Sequence, residues 1–235
     1  MALTVAVIGA SGYVGSALCA SPHLTSSYDV VRVTRETYAA CKRERYDVVI
    51  NCAMPSARFK ARNDPAWDFE ATVKTTAELL YGWRYEKFVQ VSSVSARCQL
   101  DSVYGRHKAA AERLCAPEKA LIVRLGPLYS AELKKGVLVD MARGQKVFVD
   151  GSSRYCFAPL AFSTQWLATN LHRVGTVEVG GRNAIALSDV AAHLGLEVEF
   201  EGAVDHQEID AAEPGFPEAR DVLSFMKQWR VGERA

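Results

Sequence analysis

The sequence lacks the patterns that mark membrane-spanning, secreted and metal-binding proteins. It has no run of about 18 consecutive apolar residues, which a transmembrane helix requires. Its N-terminus has no basic segment ahead of an apolar one, so we do not expect a signal peptide. Its six cysteines are scattered without a C-x-x-C pair, which is typical of reduced thiols rather than of disulfides or a zinc site. We therefore expect a cytoplasmic protein with no structural metal and no membrane association.

An excess of charge of one sign is also missing. The chain has 28 basic and 27 acidic side chains, which are well mixed and give a net charge of +1. No large electrostatic field therefore indicates a nucleic acid or an anionic membrane as a partner. With 235 residues, of which 49% are hydrophobic, the chain can build a full core in one domain, or in one domain with a small appended lobe.

The first twenty residues follow the order strand, glycine turn, helix. Residues 3–8 are apolar and rich in β-branched side chains, and residues 16–20 are of helical type. Between them Gly9 allows a tight turn, Gly12 lets a pyrophosphate approach the backbone, and Gly15 lets the helix lie close to the strand. This context favours dinucleotide binding, although the spacing is G-x-x-G-x-x-G and a glycine cluster without a ligand stays an alternative. We predict cofactor contacts at Gly9, Ser11, Gly12, Tyr13, Val14 and Gly15.

The second predicted strand, over residues 29–33, ends in Thr34 and Arg35. An NAD-specific fold usually has an acidic residue at this place to bind the ribose 2′-hydroxyl. A guanidinium suits a 2′-phosphate instead, so the sequence favours NADP(H) over NAD(H), with Arg35 as a cofactor residue. The alternative is that Arg35 is a solvent-exposed loop arginine with no ligand.

The interval between the second strand and the next one is short. It is predicted to be helical over 36–45, and the following strand covers 46–50. A doubly wound sheet normally has a further strand here, so we predict that the third strand is missing or vestigial. The strand ends in Asn51, Cys52 and Ala53, and the small residues there let the backbone approach the cofactor ribose. We predict cofactor contacts for all three, with ordinary strand packing as the alternative.

The remaining segments alternate between helix and strand up to Gly126. A loop over 54–65 is followed by a helix, a strand, a helix and a strand, over 66–83, 88–91, 102–115 and 121–125. Beyond Gly126 we predict shorter elements, with helices over 133–143, 163–173, 187–194 and 217–229 and strands over 146–149, 176–179 and 198–200. We expect a Rossmann-like, doubly wound α/β domain over 1–128, rejoined by about 156–180, and a small C-terminal substrate lobe over 129–235.

A tyrosine and a lysine four residues apart, Tyr104 and Lys108, lie in the predicted helix 102–115. Residues i and i+4 share one face of a helix, so the phenol and the ammonium point into the same cleft. Tyrosine is a poor acid near neutral pH, and a lysine cation one turn away favours its phenolate. Ser93, which follows the strand 88–91, is placed to hydrogen-bond the substrate oxygen. We predict these three residues as catalytic, with Tyr104 and Lys108 also in contact with the cofactor ribose.

These segments together resemble the short-chain dehydrogenase/reductase superfamily, specifically its extended branch of nucleotide-sugar epimerases, dehydratases and reductases. The similar stretches cover nearly the whole chain: GASGYVG at 9–15, VINCA at 49–53, FVQVSSVSA at 88–96, YGRHK at 104–108, VRLGPLYS at 123–130, GQKVFVDGSSRYCFAPLAFSTQWLA at 144–168 and TVEVGG at 176–181. The resemblance implies an NAD(P)-dependent enzyme whose partner is a small-molecule substrate, a nucleotide sugar.

The resemblance also implies roles for particular residues. Tyr104 would be the catalytic acid/base, Lys108 would lower its pKa and bind the ribose, and Ser93 would orient the reacting oxygen. Ser95 would lie at the substrate. Arg154 matches a family arginine that often contacts the nucleotide diphosphate, with a surface salt bridge as the alternative.

The same resemblance bears on assembly. Relatives commonly dimerise through the two helices that here cover 66–83 and 102–115, so we expect a homodimer. The apolar stripe in the helix 66–83 suits this interface, but it equally suits an intramolecular core.

Departures from the family pattern narrow the reaction. Sugar 4,6-dehydratases have an Asp-Glu pair where this chain has Val94 and Ser95, so dehydration is disfavoured. The 3,5-epimerase/reductases that make GDP-fucose have a cysteine at the position of Ser95, so that double reaction is disfavoured too. Many members have Asn where Pro127 stands, which puts one substrate contact in doubt.

The reaction that remains is hydride transfer at a carbinol or ketone carbon. We predict reduction of a 4-keto nucleotide sugar with Tyr104 as the proton donor, loosely similar to the dTDP-4-dehydrorhamnose reductase group. A nucleotide-sugar 4-epimerase with a retained cofactor is one alternative. A non-catalytic NADP(H)-binding sensor or subunit is the other.

Overall fold

The structure is a computed structural model, and it describes residues 3–116 and 118–232. The chain divides into two compact units. The first comprises the residues up to Leu125 together with Ala161–Val177, and the second comprises Gly126–Leu160 together with the residues from Glu178 onward.

The strands of the described chain build one large sheet and two small ones. They are β1 (Leu3–Ile8), β2 (Tyr28–Val33), β3 (Arg45–Asn51), β4 (Arg84–Ser93), β5 (Ala120–Leu125), β6 (Leu128–Tyr129), β7 (Arg154–Tyr155), β8 (Ala158–Pro159), β9 (Gly175–Val179) and β10 (Ile185–Ala186). The large sheet has the order β2-β1-β3-β4-β5-β9. Its pairings β1–β2, β1–β3, β3–β4 and β4–β5 are parallel. In the part of the chain that the structure describes, no strand lies beyond β2, so the predicted loss of the third strand is confirmed.

The helices of the described chain alternate with the strands of the large sheet, which confirms the predicted Rossmann-like α/β fold. They are α1 (Tyr13–Ala20), α2 (Pro22–Thr25), α3 (Tyr38–Cys41), α4 (Arg58–Asn63), α5 (Pro65–Phe69), α6 (Thr75–Gly82), α7 (Ser95–Cys98), α8 (Val103–Leu114), α9 (Val137–Ala142), α10 (Leu160–Thr169), α11 (Leu187–His193) and α12 (Val222–Gly232). A π-helical segment, Glu70–Lys74, joins α5 to α6, and a 3-10 turn, Ala219–Asp221, precedes α12.

The first unit has an apolar core. An apolar cluster joins side chains of β1, β3, β5 and α6, among them Ile8, Val49, Ile122 and Leu79. Burying such a side chain fully stabilises the fold by about 1.5–3 kcal/mol.

The carboxyl ends of the parallel strands all lie at the same edge of the large sheet. The residues at or after the ends of β1, β3 and β4 therefore come together there, and this edge is where α/β proteins bind ligands.

The second unit has its own core. Its apolar cluster includes Tyr129, Leu138, Met141, Phe157 and Leu187. The small sheets are an antiparallel pair, β7 with β10, and a parallel pair, β6 with β8.

Several predicted elements are shorter than the sequence pattern indicates. The helix 36–45 is reduced to α3, where the Tyr46 hydroxyl donates to the carbonyl of Cys41 at the helix end, 3.0 Å away. The helix 133–143 is reduced to α9, because Gly136 precedes it with a φ of 103°, outside the helical region. The strands over 146–149 and 198–200 form only an isolated bridge between Val147 and Phe200. The predicted loop 54–65 contains α4.

Two observations concern the possible membrane-spanning helices and the cysteines. No helix within the described ranges combines the length and the apolar character needed to cross a membrane. All six cysteines are free thiols.

Candidate active site

The turn after β1 requires glycine at two of its three glycine positions. Gly9 has a φ of 78°, and a Cβ there would lie 2.9 Å from the Cα of Ala53. A Cβ on Gly15 would lie 2.2 Å from the carbonyl oxygen of Gly9. The turn therefore lets α1 approach the end of β1 closely, as the sequence predicts.

The beginning of α1 fits the pyrophosphate of a dinucleotide. Gly12 is the N-cap in an extended conformation, no side chain caps the helix, and its first turn has no acidic residue. The first N–H groups of a helix have no partner within the helix, and the positive end of its dipole attracts an anion. Ser11 is exposed, and Tyr13 and Val14 are half-buried in the same turn.

A second arginine, which the sequence reasoning missed, lies against this turn. The carbonyl oxygen of Val33, at the end of β2, accepts the N–H of Ala10 at 3.2 Å. Arg32 donates from Nη2 to the carbonyl oxygen of Ala10 at 2.9 Å. Arg35 is exposed one residue beyond Thr34, outside the strand. The position of Arg32 in the sequence could have identified it. Arg32 stands one residue before the end of β2, the strand after which we predict the contact with the ribose 2′-phosphate.

The end of β3 is built around the buried side chain of Asn51. Its Nδ2 donates to Oε1 of Gln90 at 3.1 Å and to Oγ1 of Thr76 at 3.4 Å, and its Oδ1 accepts the N–H of Ala53 at 3.0 Å. The Asn51 side chain therefore holds the end of β3 in place through hydrogen bonds within the protein. Cys52 and Ala53 follow it as half-buried, small residues, which suits their predicted place beside the cofactor.

The structure brings the three predicted catalytic residues together. Tyr104 and Lys108 lie on α8, which begins after Ser102, whose Oγ accepts the N–H of Gly105 at 2.9 Å. The ammonium nitrogen of Lys108 is 5.0 Å from the centre of the Tyr104 ring. Ser93, at the end of β4, hydrogen-bonds the Tyr104 side chain. Tyr104 is 6% exposed and Lys108 is 3% exposed, so both side chains lie in a buried environment.

Burial dominates the titration of Tyr104. It raises the pKa of the phenol above its ordinary value, whereas the Arg58 guanidinium and the hydrogen bond with Ser93 lower the pKa and the Asp68 carboxylate raises it. The effect of Lys108 on the tyrosine pKa stays a prediction. The cation that favours the phenolate is Arg58.

Burial also dominates the titration of Lys108. It lowers the pKa of the ammonium to about 7, although the carboxylates of Asp68 and Glu112 act in the opposite direction. The Nζ atom donates to the carbonyl oxygen of Pro55 at 2.9 Å, which fixes the side chain in place. A lysine with this pKa exchanges its proton near neutral pH, within the useful range of an acid–base group.

Arg58 and Ser95 extend the site on the side of α4. Arg58 donates from Nη2 to Oγ of Ser95 at 3.0 Å, and its guanidinium carbon is 5.7 Å from the centre of the Tyr104 ring. Ser95 is fully buried, and its Oγ also accepts the Ser93 hydroxyl at 3.1 Å. The sequence places Arg58 only in a loop, so its arrival over Tyr104 could not be predicted without α4.

A partly buried ion pair holds α8 to the sheet. Glu112 accepts from Nη2 of Arg124 at 2.7 Å and from the Ser92 hydroxyl at 2.6 Å. Arg124 is on β5 and Ser92 is on β4. The pair therefore fixes α8, with Tyr104 and Lys108, against the strand that ends in Ser93.

The second unit contains the predicted substrate residue Arg154. Its side chain is half-exposed, and its Nε donates to Oε1 of Glu208 at 2.9 Å. Its backbone N–H donates to Nδ1 of His206 at 3.1 Å. The salt bridge with Glu208 is the alternative that the sequence offers for Arg154. The contact of Arg154 with a diphosphate stays a prediction.

Comparison with known proteins identifies the family of the chain. The sequence profile of the NAD dependent epimerase/dehydratase family matches residues 5–144. No curated protein matches the chain. The chain therefore belongs to the NAD dependent epimerase/dehydratase family.

Three solved structures illustrate the shared fold. UDP-glucose 4-epimerase from Thermotoga maritima has a TM-score of 0.75 and 15% identity, with 99% of both chains covered. UDP-glucuronic acid 4-epimerase from Bacillus cereus, in complex with NAD, has a TM-score of 0.76 and 16% identity, with 96% of this chain and 99% of that chain covered. dTDP-4-dehydrorhamnose reductase from Bacillus anthracis, in complex with NADP, has a TM-score of 0.71 and 16% identity, with 97% and 98% covered. At these identities the similarity shows the fold.

Proposed function

We propose that the chain is an NADP(H)-dependent oxidoreductase that reduces a 4-keto nucleotide sugar. The observation that carries this proposal is the buried group formed by Ser93, Tyr104 and Lys108 at the carboxyl edge of the sheet. The two positions after Ser93 hold Val94 and Ser95, where a dehydratase would need carboxylates. When bound, the nicotinamide cofactor supplies the hydride.

The chain's own residues provide the proton and the positioning. The Tyr104 hydroxyl, held by Ser93, donates its proton to the carbonyl oxygen as the carbon accepts the hydride, which gives an alcohol. Arg58 stabilises the phenolate that remains, because its positive charge lies over the ring. Lys108 donates to the nicotinamide ribose while it is protonated. In the second unit, Arg154 is proposed to contact the nucleotide diphosphate. The free thiols support the prediction of a cytoplasmic location.

An absorbance assay separates the reductase from its alternatives. A reductase consumes NADPH in proportion to an added 4-keto nucleotide sugar. A 4-epimerase uses the same residues with a retained cofactor, so it interconverts two nucleotide sugars with no net change in NADPH. If the protein binds NADPH but a panel of nucleotide sugars shows neither process, the enzyme proposal fails and a sensor or subunit takes its place.

Cofactor preference tests the basic residues at the end of β2. Arg35→Ala should remove most of a roughly tenfold or larger preference for NADPH over NADH, because a charge-assisted contact with a phosphate contributes about 1.5–3 kcal/mol. Arg32→Ala identifies the alternative contact, since its guanidinium already lies on the turn. Arg45→Ala is the control, because Arg45 pairs with Glu86. Equal dissociation constants for NADPH and NADH in the native protein would contradict the proposed preference.

Assembly is tested by sedimentation. Val73 and Leu79, in the helical segment from α5 to α6, are buried, so the intramolecular alternative explains part of the apolar stripe. Phe69 and Tyr81, in the same segment, remain 45% and 76% exposed, which supports a further contact surface. We propose a homodimer and expect a species of ~52 kDa, twice the chain mass of 25.8 kDa, at micromolar concentration. A single species of ~26 kDa would rule this assembly out.

A further inference from the structure

A second buried charge lies beside the catalytic group. Asp68, on α5, is fully buried, and its Oδ2 is 2.8 Å from Nδ1 of His107 on α8. Among the residues that the structure describes, Oδ1 of Asp68 has no hydrogen-bond partner. An incompletely paired buried carboxylate is costly, so a protein that keeps one has a use for its charge.

The position of Asp68 connects that charge to Lys108. Its partner His107 directly precedes Lys108 on α8. The π-helical segment Glu70–Lys74 begins two residues after Asp68, and such segments are frequent at functional sites. The carboxylate acts on the site electrostatically, since it raises the pKa of Lys108 and that of Tyr104.

A nearby negative charge would stabilise the charged form of the buried Lys108 side chain. Its direct hydrogen bond is to a neutral group, the carbonyl oxygen of Pro55. The charged or titratable groups that act on Lys108 or its neighbour Tyr104 are Glu112 on α8, Arg58 on α4 and Asp68 on α5. Because Glu112 is already paired with Arg124, its charge is largely compensated. Among the described residues the Asp68 carboxylate has only an imidazole as its hydrogen-bond partner, so it is the less compensated of the two carboxylates.

We propose that Asp68, held by His107, is a positioning residue whose negative charge favours the protonated form of the buried Lys108 side chain. This inference rests on the proposed function, in which Lys108 donates to the nicotinamide ribose. Asp68 acts through Lys108 and touches neither cofactor nor substrate in this proposal.

The test is the pH dependence of cofactor binding, measured by fluorescence titration with NADPH and with NADH, which has no 2′-phosphate to titrate. In the native protein, affinity should fall as pH rises through the Lys108 pKa of about 7. Asp68→Asn removes a charge that raises this pKa, so the fall should move to lower pH. A shift of one pKa unit would weaken binding roughly tenfold above neutral pH and restore it in acid. Glu70→Gln is the matched control, because Glu70 is an exposed carboxylate paired with Lys74.

Two His107 variants test the same charge if Asp68→Asn does not fold. His107→Leu removes the contact that holds the Asp68 carboxylate in place, so the carboxylate should act less on Lys108 and the fall in affinity should move to lower pH. His107→Gln keeps an N–H donor for the Asp68 carboxylate, so this variant should shift the fall in affinity less. Unshifted profiles in Asp68→Asn and His107→Leu would overturn the inference while the proposed function stands. A native protein that binds neither cofactor at any pH would overturn the proposed function, and this inference with it.

Discussion

Tyr104→Phe is expected to lower turnover by about 10²–10⁴-fold, the usual contribution of a general acid, and to leave NADPH binding almost unchanged. The variant removes only the hydroxyl, which in the proposed reaction donates the proton. The ring stays in its buried place beside Lys108 and Arg58, so the site keeps its shape. The two quantities are measured separately, as the turnover number with a reactive nucleotide sugar and the dissociation constant of NADPH.

A second buried tyrosine provides the control for this variant. Tyr46 is 4% exposed, and its hydroxyl donates to the carbonyl oxygen of Cys41, within the first unit. Tyr46→Phe should cost about 0.5–1.5 kcal/mol of unfolding free energy, the net contribution of one hydrogen bond, without changing turnover. Turnover of Tyr104→Phe within a few-fold of the native value would show that another group donates the proton.

Lys108→Met is expected to damage both cofactor binding and turnover. The substitution keeps an unbranched side chain of similar length but removes the ammonium that donates to the ribose. Loss of a hydrogen bond from a charged group costs about 1.5–3 kcal/mol, so NADPH should bind roughly 10- to 100-fold more weakly. Turnover should fall as well, because the ribose is no longer held. Native-like NADPH affinity would contradict this role of Lys108.

The stability of Lys108→Met gives a check that needs no ligand. Burial lowers the pKa of Lys108 from 10.5 to about 7 in the folded protein, so between these values the unfolded chain binds more protons. The contribution of Lys108 to the free energy of unfolding should therefore increase as pH rises through this window. Chemical denaturation at several pH values should show the free energy of unfolding of the native protein rising through this window relative to that of Lys108→Met.

The features that the sequence predicts correctly are local ones. The glycine turn depends on backbone conformations that Gly9 and Gly15 alone permit, and a reader of the sequence can identify them. The pairing of Tyr104 with Lys108 follows from the helical repeat, and Ser93 reaches them because β4 ends where the parallel strands end. The missing strand follows from the short interval between β2 and β3.

The features that the sequence does not reveal depend on packing between distant segments. Arg58 reaches Tyr104 because α4 forms in what the sequence indicates is a loop. Asp68 is a charged residue in an otherwise amphipathic helix, and only its contact with His107 shows that it faces the interior. The raised pKa of Tyr104 depends on burial, which outweighs the lowering effect of the Arg58 charge.

The central claim is that this chain transfers hydride to a nucleotide sugar with Tyr104 as the proton donor. Its most direct test is mass spectrometry of the sugar product after incubation of a 4-keto nucleotide sugar with NADPH carrying deuterium at the transferable position of nicotinamide C4. We expect one deuterium per product molecule with the native protein, and about 10²–10⁴-fold slower formation of labelled product with Tyr104→Phe. Product without deuterium from the native protein, or labelled product at an equal rate from Tyr104→Phe, would contradict the claim.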